Sequence, residues 1–470
     1  MAPYVIGDGT CVSEDFLVKV SNNQAPVKVQ CRWRLSDLPG KAYAVRYFYV
    51  LDLLLKVLPI SKENGEDESL LADATGSALE TLVRKISIDQ TVRRTEIAVK
   101  VILAPVDGYL CRSDILDVRM RHSEFVDTVI SFGTWDKRLP TFSRHDKHSL
   151  LPLLLSSPGA IIPRETPESG TDNWALLHKD METRLSFNWI LPRKPASYKV
   201  ALVAGRHRYE GGTYRAEGFL DAARALGIAI TILDEPGHWL EGEKYAHLRD
   251  DFVAVNLSFN DGLVRRITDA VKGRDIDGII TFTDEYVLTT GEAAEVLGLP
   301  AEPLHAMQQG LHKDELRKVV NNTNIQAFLL QHAAQLDGLA FANNLAALQY
   351  PLIVKPAYGR ASAGVKKVTD ESSLREAVRL LTADGLDEEG ILLETFVDGP
   401  ELDCNFVLCD GEVLFLELTD DLPSAGDAND ATLADNFFET AMISNSGLPA
   451  SEQQAVRDSL QRSLRKLGLG

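Results

Sequence analysis

Two lysines, two glutamates and a loop of small residues carry the chemistry that is legible in this 470-residue sequence. Lys355 ends the apolar run Tyr350-Pro-Leu-Ile-Val-Lys, Pro356 stops the strand, and a loop containing Tyr358, Gly359, Ser362, Ala363 and Gly364 leads into a second run, Val365 to Val368. Small residues let successive backbone N–H groups close over an anion, and a nearby lysine adds a point charge. The loop therefore reads as a phosphate cover, against the plainer alternative of a hairpin turn. An apolar strand seldom carries a lysine without a partner. Downstream, the alternation of Ile391 to Val397 places Leu392, Glu394 and Phe396 on one face. A carboxylate on an apolar face needs a donor, because leaving it bare costs several kcal/mol or forces protonation. Glu401 follows the Gly399-Pro400 step, and Lys313 lies upstream in "LHKDELRKVV", at a helix start where a solvated lysine is the ordinary outcome.

These residues need a framework. Thr369-Asp370 is placed to cap a helix whose Leu374, Ala377, Val378 and Leu381 recur at i, i+3, i+4 and i+7, burying one face against a sheet. Cys404 to Cys409 and Glu412 to Leu418 flank Asp410-Gly411, the strongest short hairpin signal.

Taken together, "LHKDELRKVV", "YPLIVKPAYGRASAGVKKV", "LLETFVDGPELD", "CNFVLCDGEVLFLELTDD" and "FFETAMISNSGLP" resemble, in order, the ATP-grasp superfamily, and within it the carboxylate-amine ligases similar to carnosine synthase and L-amino acid ligases. The resemblance implies that Lys313 and Lys355 hold ATP phosphates and that the Tyr358–Gly364 loop folds over them. It also implies that Glu394 with Thr395 and Val397 receives the adenine, and that Glu401 takes the ribose hydroxyls. ATP and Mg²⁺ are the expected cofactors. The family continues into two metal-binding carboxylate or amide positions, and the sequence is expected to stop before them, so no metal ligand is assigned. On that expectation the chain alone binds ATP weakly and turns over negligibly unless a complementing polypeptide supplies the rest.

The length suggests roughly three domains at about 100–200 residues each. The expected division is a mixed domain of unknown role over 1–195, a Rossmann-like α/β domain preceding the ATP-grasp module over 196–300, and an incomplete ATP-grasp domain over 301–470. The fold class is thus α/β and α+β, multidomain. A net charge of −19 argues against non-specific nucleic-acid binding, which needs a basic footprint. Five scattered cysteines without a CxxC fit reduced thiols in the cytoplasm. The amino terminus has no basic region ahead of an apolar core, so a secretory signal is not expected. The longest apolar run, Phe48 to Ile60, contains Asp52 and Lys56, is too short to span a bilayer, and is predicted to be a buried helix.

Within 1–195, Thr95 to Leu103 reads as a strand, Ser77 to Ile86 as a helix, and Asp180 to Pro195 as a strand closing the domain. His145 and His148 have H-x-x-H spacing, but an exposed connection is the simpler reading. From Tyr198 strands alternate with helices, which implies a parallel sheet. The turn Ala204 to Thr213 lies where a dinucleotide fingerprint would sit but is not G-x-G-x-x-G. Asp284 and Glu285 follow a strand end, where they could meet substrate or simply start a helix.

Between Leu380 and Val456 there are eighteen Asp or Glu and no Lys or Arg. A solvated face explains part of this. Acidic walls around a triphosphate would need divalent cations to screen them. Asp420, Asp421 and Asp427, on an expected loop, could equally receive a substrate amino group. Ser451 and Gln454 form an S-x-x-Q pattern ahead of a final amphipathic helix closed by Gly468. The function expected is an ATP-dependent ligase joining a carboxylic acid, an amino acid by preference, to an amine through an acyl phosphate. The alternative is a nucleotide-binding module without catalysis. Small-molecule acid and amine are the expected partners, with a homo-oligomer possible and neither nucleic acid nor membrane.

Overall fold

A computed structural model describes residues 11–19, 26–36, 47–59, 71–88, 96–142, 148–164, 172–207, 215–320, 325–359 and 362–469. Its contacts divide the chain into two compact units, residues 1–256 with 271–278, and residues 257–270 with 279–470. Among the described residues no helix is long and apolar enough to cross a membrane.

The first unit opens with β1 (Val12–Val18), β2 (Val27–Leu35), β3 (Tyr49–Pro59), β4 (Ala72–Asp73), α1 (Ala78–Ile88), β5 (Ile97–Leu103), β6 (Gly108–Leu110) and α2 (Ile115–Met120). It continues through β7 (Val126–Ser131), β8 (Arg138–Leu139), α3 (Leu150–Leu155), β9 (Gly159–Pro163), α4 (Asp172–Leu185) and β10 (Ile190–Leu191). Seven strands form one sheet in the order β4-β1-β2-β3-β5-β9-β7. One face buries Trp33, Leu51, Leu53, Val99 and Val101 under α1 and α3. The other packs Val50, Ile102 and Ile161 against Leu116 and Met120 of α2 and Leu177, Met181 and Leu185 of α4.

Two sequence expectations are corrected here. Within the run Phe48 to Ile60, Tyr49–Pro59 is the central strand β3, paired antiparallel with β2 and β5, and not a helix. A strand buried on both faces is apolar throughout, so periodicity cannot separate it from a buried helix. Its Asp52 explains itself in the sheet, lying opposite Arg34 and Lys100. The segment Asp180 to Pro195 is not a strand either. Its first part is the end of α4, where Leu177, Met181 and Leu185 bury one face and Arg184 pairs with Asp180 at 2.9 Å, leaving only β10 extended.

The first unit then holds β11 (Lys199–Val203), α5 (Arg215–Ala225), β12 (Ala229–Asp234) and β13 (Asp251–Ala254). These strands run parallel in the order β13-β12-β11, as the alternation predicts. The α/β segment is fastened to the preceding one. Ser113 N–H donates to the Ala225 carbonyl at 2.9 Å, and a Cβ on Gly227, whose φ is +72°, would lie 2.1 Å from the Trp135 ring.

Next come α6 (Leu263–Val271), β14 (Gly278–Thr281), α7 (Val287–Leu297), α8 (Leu304–Leu311), α9 (Lys313–Val320), β15 (Ala327–Leu330), α10 (Leu339–Ala347) and β16 (Leu352–Pro356). The rest of the second unit is β17 (Lys366–Val368), α11 (Glu371–Ala383), β18 (Ile391–Thr395), β19 (Glu401–Cys409), β20 (Glu412–Asp421), β21 (Met442–Ser444) and α12 (Ala450–Lys466). One sheet has the order β15-β18-β16-β17 and the other β19-β20-β21. The turn between β19 and β20 is Asp410-Gly411, both with positive φ, at 47° and 75°. α12 starts at Ala450 with Pro449 in the capping position and no side-chain cap, so the Ser451/Gln454 box is not used as expected. Its Leu464 and Leu467 are buried, and Gly468 ends it at φ +80°.

Candidate functional site

The β15-β18-β16-β17 sheet has two faces of opposite character, and the alternation of its strands decides which residues go to each. Leu352 and Val354 of β16, Ile391 and Leu393 of β18 and Val368 of β17 point into a core closed by Leu374, Ala377, Val378 and Leu381 of α11. That helix is held at its start by Asp370, whose carboxylate accepts the Ser373 N–H at 2.7 Å. The register places Ile353 opposite both Glu394 and Lys367, and Lys355 opposite Leu392. Glu394, Lys367, Lys355 and Leu392 therefore share the other face.

On that face Lys355 and Glu394 make direct ammonium–carboxylate contact through Oε1. Oε2 of the same carboxylate accepts from Arg317 Nε at 2.8 Å. Glu394 is 6% exposed, so these two donors answer the need that its apolar setting creates. Burial alone pushes the Glu394 carboxyl up, but the Lys355 charge and the hydrogen bonds from Arg317 and Lys355 together outweigh it and hold the group below the usual range. Lys313, the first residue of α9, reaches the same place. Its backbone N–H donates to the Ala357 carbonyl at 3.2 Å and its Nζ to the Gly359 carbonyl at 2.7 Å. Burial first, and then the Lys355 charge, lower the Lys313 pKa, with Glu394 acting in the opposite sense.

The small-residue loop follows β16 next to this cluster, and its described residues are 358, 359 and 362–364. Tyr358 is exposed, with its ring 5.5 Å from that of His312, and Gly359 supplies the carbonyl that Lys313 holds. Ser362 stands at φ 52° and accepts the Val365 N–H through its carbonyl at 3.2 Å. Ala363 is exposed, and Gly364 has φ +73°, where a side chain would be strained and its Cβ would lie 2.8 Å from Leu386 Cδ1.

Beyond β18 the chain turns toward the second sheet. Thr395 is fixed by its hydroxyl, which accepts the Gln326 N–H at 2.9 Å, while Val397 is exposed. Glu401 lies opposite Asp421 across β19 and β20. Burial first, and then Asp421, Asp427, Asp403 and Glu439, raise the Glu401 pKa; burial, Asp403 and Asp427 do the same to Asp421. Asp421 Oδ1 is shielded from solvent and has no hydrogen-bond partner. Asp420 and Asp421 are the last residues of β20, not loop residues as expected, because β20 extends to pair with both β19 and β21. Among the described residues no group of three or more His, Cys, Asp or Glu is placed to hold a metal ion.

Two basic residues that sequence reasoning passed over belong to this site. Arg317 stands four residues after Lys313, on the same side of α9, and that spacing was the available signal. Lys367 is buried with its ammonium 4.1 Å from the centre of the Phe396 ring, donating to the Asp427 and Ala428 carbonyls at 3.3 and 3.2 Å. It ties the lysine-bearing sheet to the acidic segment, and no local pattern announces it. Asp284 and Glu285 form a short 3₁₀ turn, Asp284–Tyr286, that runs into α7, with Thr283 at its N-cap. His145 lies outside the described residues, as does the part of the Ala204–Thr213 turn beyond His207.

Comparison with known proteins gives two family matches. Residues 220–301 match the family described as ATP-grasp N-terminal domain, and residues 319–464 the family described as D-ala D-ala ligase C-terminus. The "ATP-grasp enzyme fsqD" of Aspergillus fumigatus is 33% identical over 392 residues, 79% of this chain and 65% of that protein. "Carnosine synthase 1" of Mus musculus is 25% identical over 315 residues, 57% of this chain and 36% of that protein. The crystal structure of an L-amino acid ligase from Bacillus licheniformis superposes with a TM-score of 0.44 at 22% identity, covering 59% of this chain and 61% of that one. The chain thus spans about two thirds of the first relative's length and about a third of the second's.

Proposed function

The chain belongs to the ATP-grasp superfamily over residues 220–301 and 319–464, and on that premise we propose that it is an ATP-dependent ligase joining a carboxylic acid, an amino acid by preference, to an amine. The observation that carries this reading is the pairing of Arg317 and Lys355 with one buried carboxylate, with Lys313 close enough to feel both Lys355 and Glu394 and holding the Gly359 carbonyl of the small-residue loop. Three cations against Glu394 leave an excess of positive charge where a triphosphate would lie. Lys313 and Lys355 take the phosphates and the Tyr358–Gly364 loop covers them. Because the Glu394 carboxylate is engaged by Lys355 and Arg317, the backbone after it, at Thr395 and Val397, is the better adenine partner. Glu401, opposite Asp421, is the candidate for the ribose hydroxyls.

In such a ligase the γ-phosphoryl group passes to the substrate carboxylate, giving an acyl phosphate that the amine attacks with loss of phosphate. This chain's share is positioning and charge neutralisation. The lysines offset phosphate charge, and the loop excludes water. Asp420 and Asp421 are candidates to receive the substrate ammonium, and Asp284 and Glu285 remain candidates for substrate contact. Magnesium would accompany ATP, and no step is assigned to it. A reducing, cytoplasmic setting fits the scattered cysteines.

The deciding experiment is ADP release by the purified protein, alone and with a complementing polypeptide, across pairs of amino acids and amines, alongside nucleotide binding followed by calorimetry. Release that requires both an acid and an amine is the expected result. Tight ATP binding with no ADP release in any pair would favour a binding module, and no nucleotide binding would remove the assignment altogether.

A further inference from the structure

Arg317 enters the proposal above only as a charge, yet it has the clearest geometric claim to a role of its own. It projects from α9 one turn beyond Lys313, and its Nε takes Glu394 Oε2 at 2.8 Å while Lys355 occupies Oε1. The groups facing the carboxylate are few. Lys355 comes from β16, Arg317 and the Lys313 charge come from α9, and across β15 the residue opposite Glu394 is Ala327, which carries no charge. For Lys355 to serve a phosphate it must loosen its hold on Glu394. A carboxylate this deeply buried that loses its donor takes up a proton or becomes strongly unfavourable.

We propose that Arg317 is a positioning residue that keeps Glu394 ionised and in place while Lys355 turns to the nucleotide's phosphates, so that this carboxylate takes up no proton when nucleotide binds. The inference rests on the nucleotide reading of the site and extends it. Arginine suits the task better than lysine, since its charge is permanent and its guanidinium fork holds a carboxylate in a fixed plane. The second donor also explains why one carboxylate needs two cations in the same pocket. One stays with Glu394, and the other is available to the ligand.

The test is calorimetric titration of the full chain with Mg-ATP between about pH 6 and 8, in buffers of different ionisation enthalpy, so that protons taken up on binding are counted. The nucleotide's own titration is common to every variant and cancels in the comparison with the parent protein. Arg317→Met is expected to bind ATP at least about tenfold more weakly at pH 7 and to take up an additional proton. Its affinity should then fall by up to about tenfold more per pH unit than the parent's, the slope of one linked proton. Arg317→Met combined with Glu394→Gln should lose the extra proton and the extra slope, because an amide does not titrate. Arg317→Lys, which keeps the charge, should fall between, and it serves as the informative variant if Arg317→Met does not fold. Parent-like affinity and proton count in Arg317→Met would overturn the role of Arg317, as would an extra slope that persists in the double variant. Failure of the parent protein to bind ATP would instead overturn the nucleotide reading beneath it.

Discussion

Lys355 is 17% exposed at the end of an apolar strand, and its ammonium is committed to Glu394, so its placement has a purpose that a solvated lysine would not. A ligand that binds only the folded state stabilises it by about 2.7 kcal/mol at one hundred times its dissociation constant. Mg-ATP is therefore expected to raise the melting temperature of the protein, and Lys355→Ala to abolish most of that rise; an undiminished shift in the variant would exclude the lysine from the site. Glu394 makes a prediction of its own. Its folded-state pKa is depressed, so its contribution to stability is complete above the unfolded value of about 4.3 and fades as pH falls through the lower folded value. Glu394→Gln should accordingly flatten the acid side of a stability-against-pH curve, measured by urea unfolding, while changing little in its shape above about pH 6.

At the scale of elements, the pairing of β3 with β5 and the loop between β16 and β17 show opposite uses of a special residue. Lys100 of β5 is fully buried, pairs with Asp52 of β3 at 2.9 Å and lies 3.9 Å from the centre of the Trp174 ring. Burial lowers its pKa while Asp52 raises it, and the reverse pressures leave Asp52 depressed. Removing one member of such a pair strands the other, at a cost of about 3–5 kcal/mol. Lys100→Met should destabilise by no more than that amount in denaturant melts, because Asp52 keeps Arg34 at 3.4 Å, and adding Asp52→Leu should return a substantial part. The loop depends on backbone freedom instead. At Gly364 a left-handed φ of +73° costs a side chain about 1–2 kcal/mol. Gly364→Ala is expected to lower folding stability by about that much in denaturant melts while leaving the Lys355–Glu394 pair in place. The end of β18 adds a specificity test. An acceptor facing the guanine carbonyl instead of the adenine amine forfeits about 1–3 kcal/mol, so GTP should compete poorly, and equal affinities would move the base elsewhere.

For the whole molecule the net charge of −19 is the dominant long-range quantity. Exposed like charges repel across distances that salt screens, whereas buried pairs such as Lys100–Asp52 are screened far less. Raising ionic strength from about 10 to 150 mM, where the Debye length shortens from roughly 30 to 8 Å, should therefore raise the melting temperature. Duplex DNA should show no retention by the protein at the higher salt; binding there would reveal a basic surface that the overall charge conceals.

The sequence by itself determined what depends on near neighbours. The parallel strands β11, β12 and β13, the capped α11, the Asp410-Gly411 hairpin, and Lys355 at a strand end all follow from periodicity and turn chemistry acting over a few residues. The order of five motifs added the family. Tertiary structure decided what depends on partners distant in sequence. Whether Phe48 to Ile60 would be helix or strand rested on β2 and β5, because a fully buried run is apolar either way. What Glu394 does rested on Arg317, 77 residues earlier, and on Lys355, since a carboxylate's ionisation is set by which charges face it and no sequence spacing states that. Lys367 acquired its place only when β17 and the segment after β20 met across it.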